Sequence, residues 1–133
     1  MVELALSKIK IDESRNEQVI VLKEKEGNRL LPVVIGIAEV NAIKLKLSGI
    51  KPPRPLTHDL MISIIENLGA KLNKVLIDRL QNNTFYAKIF LAVDSKEVLI
   101  DARTSDSLAL ALRAGVPIYV EEEVLKEAGV SEF

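Results

Sequence analysis

Three short stretches of this chain hold residues whose types and spacing could do chemistry. The first is Arg54-Pro55-Leu56-Thr57-His58-Asp59, which contains the only histidine. A proline-stiffened loop here feeds a helix N-terminus, where free backbone N–H groups attract anions. Arg54 adds a fork of donors suited to phosphate. His58 could act as a general acid or base near neutral pH. The plainer reading is that Asp59 complements the helix dipole and His58 is a solvated residue of the first turn.

The second stretch is Asp101-Ala102-Arg103-Thr104-Ser105-Asp106, which follows a strand and opens a helix. Asp101 and Asp106 could hold Mg²⁺ or Mn²⁺, ions that prefer oxygen ligands. Such an ion can activate water against a phosphodiester. Arg103 and Ser105 would contact phosphate. The plainer reading makes Ser105 a helix cap, Asp106 a dipole partner, and Asp101 with Arg103 a surface pair. The third candidate is Glu39, in the first turn of a helix that follows Gly36. It could join a carboxylate cluster or simply complement its own helix.

Other chemistries are missing. The sequence has no Gly-rich phosphate loop, no G-x-S-x-G elbow and no H-E-x-x-H pattern. A single histidine and no cysteine exclude a multi-histidine or Cys-ligated zinc site within one chain. No pattern calls for an organic cofactor. Phe85 and Tyr86 are adjacent, so they point to opposite sides of a strand and form no aromatic platform for RNA.

These residues need elements to hold them. Val2, Leu4 and Leu6 alternate, then the phase slips to Ile9 and Ile11, which predicts a strand with a bulge near Ser7-Lys8. Val19 to Leu22 and Leu30 to Ile35 read as strands around a turn at Glu26-Gly27-Asn28. Pro32 cannot donate to a ladder, which places its strand at an edge or a bulge. Ala38 to Leu47 reads as a helix with Ile37, Val40, Ile43 and Leu47 on one face, ended by Gly49. Lys51 to Pro55 is too proline-rich for helix or central strand. Thr57 is a good cap for a helix from His58 to Leu68. Leu72 to Leu80, Phe85 to Val93 and Val98 to Ile100 form a meander, with turns at Gln81-Asn82-Asn83 and Asp94-Ser95-Lys96. Thr104 or Ser105 caps a helix through Arg113. A short strand, Pro117 to Val120, and a last helix, Glu121 to Ala128, complete the chain. The order predicts an α+β fold: a mixed, mostly antiparallel sheet with about four helices packed on it. No repeat or linker interrupts it, so residues 1–133 read as one domain.

Composition sets the outer bounds. The chain has 133 residues, 48% hydrophobic and only 4% aromatic, so its core is built mainly of Ile, Leu, Val and Ala. A formal net charge of −1 argues against tight, non-specific binding of nucleic acid but leaves room for a weak contact with DNA or RNA. The first residues carry Glu3, Lys8 and Lys10 and do not read as a signal peptide. No apolar run is long enough to cross a bilayer. The absence of cysteine suits a reducing, cytoplasmic setting. The abundance of Lys, Glu and Ile is like that of a thermophile. Leu108 to Leu112, with Ile118 and Val120, offers apolar surface for a dimer face.

The chain also resembles the bifunctional nuclease family, a domain of unknown function in bacteria. The matching stretches are Leu31-Pro32-Val33-Val34-Ile35-Gly36 with Glu39, Arg54-Pro55-Leu56-Thr57-His58-Asp59-Leu60, Asp101 to Asp106 running on to Arg113, and Pro117-Ile118-Tyr119-Val120. They occur in family order and span most of the chain. Thr104 stands where the family usually has Pro, and Ser107 where a small apolar residue is usual. The chain ends at Phe133, without the C-terminal extension of some relatives. The resemblance implies a compact α+β domain, a dimer or larger homo-oligomer, and nuclease activity on DNA and RNA, an activity attached mainly to plant relatives.

Two readings follow. In the first, the chain is a nuclease: Asp101 and Asp106, with Glu39 and Asp59, bind a divalent cation, His58 moves a proton, and Arg54 and Arg103 hold phosphate. A small-molecule phosphoester hydrolase would be a close variant. In the second, the chain is a non-catalytic, homo-oligomeric binding or regulatory module, and the same polar groups form a structural network.

Overall fold

A computed structural model of the chain describes residues 1–12, 14 and 17–133. The elements in chain order are β1 (Val2–Asp12), β2 (Glu17–Glu24), β3 (Leu30–Ile35), α1 (Ile37–Ser48), α2 (Thr57–Asn67), β4 (Ala70–Gln81), β5 (Thr84–Val93), β6 (Lys96–Arg103), α3 (Thr104–Ala114), β7 (Ile118–Val120) and α4 (Glu122–Ala128). Seven strands form one sheet in the order β3-β2-β1-β7-β4-β5-β6. Every neighbouring pair is antiparallel except β4 and β7, which are parallel. This is an α+β fold with a mixed, mostly antiparallel sheet, and its element order follows the hydrophobic pattern of the sequence.

Local chemistry explains most boundaries. The β1–β2 register shifts between Leu6 and Lys8, where the alternation slips. Pro32 lies on the edge strand β3. Asn82-Asn83 and Asp94-Ser95 make two-residue hairpin turns, all four residues with positive φ. Gly49 and Gly115 close α1 and α3 in the left-handed conformation that favours glycine.

One face of the sheet packs around α3, and the other is buried in part, at Val21, Leu76 and Phe90. Leu108, Ala109, Leu110 and Ala111 are all at most 2% exposed, so this helix is enclosed rather than perched on a surface. It touches β3 and β6, the two edges of the sheet, as well as β4 and β5. The sheet therefore curls around α3. Helices α1 and α2 pack against α3 as well. Val75 and Ile77 of β4 and Ile89 and Leu91 of β5 join the same core.

Three local expectations are corrected. Ile37 and Leu47 are each 60% exposed; α1 buries Glu39, Val40, Ala42 and Ile43 instead. The buried stripe is rotated because α1 turns Glu39 inward. Thr57 and Thr104 are first helical residues, not caps; Leu56 and Arg103 hold the cap positions, and neither Thr104 nor Ser105 caps α3 with its side chain. Finally, Leu108, Leu110, Ile118 and Val120 cannot form a dimer face. They are at most 3% exposed because the curled sheet has already covered them.

Candidate functional site

Each of α1, α2 and α3 carries an acidic residue at its third position: Glu39, Asp59 and Asp106. A carboxylate there complements the positive end of the helix dipole. The fold brings these acids to the interface between the helices, where arginines meet them.

Arg103 is the hub. Its Nε donates to Asp106 Oδ2 at 2.8 Å and its Nη2 to Glu39 Oε1 at 3.1 Å. It thereby joins the end of β6, the start of α3 and the start of α1. Glu39 is buried, and Gly36 leaves room for it: a Cβ at Gly36 would sit 2.5 Å from Glu39 Oε2. His58 completes the group, with Nε2 3.1 Å from Asp106 Oδ1. The His58 side chain is only 7% exposed. The segments at 54–59 and 101–106 therefore meet through His58 and Asp106.

A second cluster lies beside the first. Arg113 Nε donates to Asp59 Oδ1 at 2.6 Å, and Arg113 Nη1 to the Ala42 carbonyl at 2.7 Å. Asp59 Oδ2 accepts the Leu56 backbone N–H at 3.0 Å. Both Asp59 oxygens are thus engaged, Oδ1 in holding α2 against α3 and Oδ2 in capping the start of α2. Arg113 was not singled out by its sequence position, because an arginine in a last helical turn reads as a dipole partner. Only the fold shows that its side chain is 9% exposed.

The electrostatics follow from these contacts. The Arg113 guanidinium holds the Asp59 carboxyl below its ordinary value, against the opposing effect of burial, with help from the Leu56 N–H. Burial pushes Asp106 up, but hydrogen bonds from Arg103 and His58 together outweigh it and leave the carboxyl depressed. The Asp106 hydrogen bond and nearby Glu39 raise Arg103 further. Since ionised Asp106 only accepts, the Nε2–H of His58 is the donor of this hydrogen bond.

The remaining candidates stand outside the cluster. Asp101 is exposed on β6, opposite Lys88 in register. Lys88 alternates with the core residues Ile89 and Ala87, which sets Asp101 on the face turned away from the helices. Asp101 and Asp106 do not act as a pair, and among the described residues no three or more His, Asp or Glu gather closely enough to hold a metal ion. Arg54 is exposed and makes no hydrogen bond or ion pair among the described residues.

Ser105 lines a cleft of about 340 Å³ with Arg103, Thr104, Asn83, Thr84 and Pro32. Residues of both sheet ends meet in that cleft, at the start of α3. Thr104 Oγ1 is buried there without a partner among the described residues, while Ser107 Oγ donates to the Arg103 carbonyl at 3.0 Å.

These features define an α+β domain with a histidine–carboxylate–arginine cluster set where helix N-termini converge on a curled sheet. Residues 20–132 match the bifunctional nuclease domain, and the chain belongs to that family. An uncharacterized protein of Mycobacterium tuberculosis (strain ATCC 25618 / H37Rv) is 46% identical over 130 residues, which cover 98% of this chain and 77% of that protein. Bifunctional nuclease 1 of Oryza sativa subsp. japonica is 28% identical over 127 residues, 92% of this chain and 38% of the rice protein. Bifunctional nuclease 1 of Arabidopsis thaliana is 25% identical over 116 residues, 84% of this chain and 35% of that protein.

Proposed function

We propose that this chain is a nuclease that hydrolyses phosphodiester bonds of DNA or RNA, with His58, Asp106, Arg103 and Glu39 as its reaction centre. The observation that carries the reading is the His58–Asp106 pair at 3.1 Å beside Arg103, whose side chain is 73% exposed. The plant relatives, named as bifunctional nucleases, support it.

In this reading Asp106 fixes the tautomer of His58, and Nδ1 takes a proton from water. The water oxygen attacks phosphorus, the bond to the leaving oxygen breaks, that oxygen takes a proton from solvent water, and His58 gives the proton it gained back to solvent. Arg103 uses its remaining N–H groups on the phosphoryl oxygens as their charge grows. Arg54 and Ser105 hold neighbouring phosphates. Glu39 positions Arg103. Asp59 and Asp101 are outside the chemistry, Asp59 because Arg113 and Leu56 occupy its oxygens.

No step is assigned to a metal. The expectation of Mg²⁺ or Mn²⁺ becomes an arm of the test: cleavage of single-stranded RNA and DNA with either ion or with EDTA. Activity that survives EDTA and is lost in His58→Gln supports the acid–base reading. Activity abolished by EDTA refutes the mechanism as written. Binding to nucleic acid is weak in this account, the chain works in the cytoplasm, and it associates as a homo-oligomer.

A second reading has its own observation. The two linked clusters hold three carboxylates, Glu39, Asp59 and Asp106, against two guanidiniums, Arg103 and Arg113. Carboxylates paired with guanidiniums in this way also describe a network that locks helices together in a non-catalytic binding or regulatory module. Identical cleavage by parent and His58→Gln protein would favour that reading.

A further inference from the structure

β6 is an edge strand blunted only by the charges at its two ends, Lys96-Glu97 and Asp101 with Arg103. It runs eight residues, keeps an unbroken register with β5, and ends the sheet. Val98, Leu99 and Ile100 are 40%, 48% and 43% exposed in a row. Proline, bulges and short length usually protect such an edge, and β6 has none of them. The opposite edge differs: β3 contains Pro32 and is bridged by Val130 at Leu30.

The turn before β6 fixes which backbone groups are free. Asp94 and Ser95 have φ of 47° and 66°, and the flanking residues Val93 and Lys96 are partners. In a two-residue turn of this kind the flanking pair exchanges both hydrogen bonds, and the pattern alternates from there. Lys96, Val98, Ile100 and Ala102 therefore bond to β5. Glu97, Leu99 and Asp101 turn their N–H and C=O groups to the open edge; Arg103 turns only its N–H there, because its carbonyl accepts from Ser107 Oγ at the start of α3.

We propose that β6 pairs antiparallel with β6 of a second copy of this chain, about a two-fold axis at Ile100. Bonding requires outward residues to face outward residues, which leaves a few registers. Centring on Leu99 sets Glu97 against Asp101, and centring on Asp101 sets it against itself; like charges in direct opposition are destabilising. Centring on Val98 shortens the ladder and sets Lys96 against Ile100. Centring on Ile100 keeps the longer ladder and sets Glu97 opposite Arg103 of the partner subunit, twice by symmetry, Leu99 opposite Asp101 of the partner subunit, and Ile100 opposite its own copy. Val98, Ile100 and Ala102 then form one apolar row on the helix-bearing side.

This pairing reaches the site. Arg103 already bonds Glu39 and Asp106, yet its side chain is 73% exposed and its guanidinium has donors to spare. Glu97 of the partner subunit comes beside it, so each copy contributes a carboxylate to the other's cluster. The inference rests on the homo-oligomer part of the proposed function and is independent of whether the cluster cuts nucleic acid.

The chain has no cysteine, so single-cysteine variants report the pairing directly. At a non-hydrogen-bonded antiparallel pair the Cα atoms are about 4.5 Å apart, within reach of a disulfide. Two Val98 residues in this register are about 13 Å apart along the strand. Mild oxidation should convert Ile100→Cys to a covalent dimer and leave Val98→Cys uncrosslinked. Light scattering should give a dimer or a multiple of it for the parent. Glu97→Lys should weaken that dimer by roughly tenfold with an unchanged far-ultraviolet spectrum. Crosslinking at Leu99→Cys instead of Ile100→Cys would overturn the register. A homo-oligomer in which Ile100→Cys does not crosslink would overturn this interface yet leave association itself standing. A monomeric parent would overturn both.

Discussion

Asp59 shows how a residue with the look of a catalyst can be a fastener. Its oxygens bond Arg113 and the Leu56 N–H, and the Arg113 side chain is 9% exposed. Removing the carboxylate strands a buried guanidinium, which costs about 3–5 kcal/mol. Asp59→Ala should therefore lose about that much stability in urea, while Asp101→Asn, on an exposed strand, should stay within about 0.5 kcal/mol of the parent. The acid response follows from the same contacts. Asp59 and Asp106 titrate below the ordinary value of 3.8 in the folded chain. A depressed carboxyl stabilises the fold above its unfolded value and loses that contribution as pH falls through the folded one. The melting temperature should thus hold near neutrality and fall progressively below about pH 5. Asp106→Asn should start lower at pH 7 and fall less steeply. A variant that parallels the parent throughout would contradict this role for Asp106.

At the scale of elements, α3 carries the most weight. Leu108 is fully buried within a helix that the sheet encloses. Leu108→Ala should cost about 2–5 kcal/mol in chemical denaturation, the range for a buried leucine that leaves a cavity. A loss under about 1 kcal/mol would mean that α3 is less enclosed than described. The element order was legible from alternation, helical spacing and turn residues, since those signals are local. Partners were not. Ile37 and Leu47 fit a helical face by spacing, but tertiary packing chose the stripe containing Glu39. Thr57 and Thr104 look like caps, yet the helices begin one residue earlier. Asp101 looked equivalent to Asp106 in sequence; strand alternation turns one away from the helices, while the other opens α3. The meeting of His58 with Asp106 joins positions 48 residues apart, which no local pattern encodes.

The whole molecule is a curled sheet whose two ends approach one another at the start of α3, with Arg103 at that seam. This placement leaves one guanidinium, that of Arg103, exposed at the seam of a chain of net charge −1. It also limits affinity, because most of the cluster's charge is neutralised internally, so binding to nucleic acid should be weak and salt-sensitive. The central claim is that the His58–Asp106–Arg103–Glu39 cluster is a nuclease centre. Its most direct test is cleavage of single-stranded RNA and DNA by the parent, Arg103→Lys, His58→Gln and Asp101→Asn, all purified identically. The account predicts cleavage by the parent and Asp101→Asn, and losses of roughly 100-fold or more in the other two. Equal cleavage by all four proteins, or none by a folded parent, would contradict it.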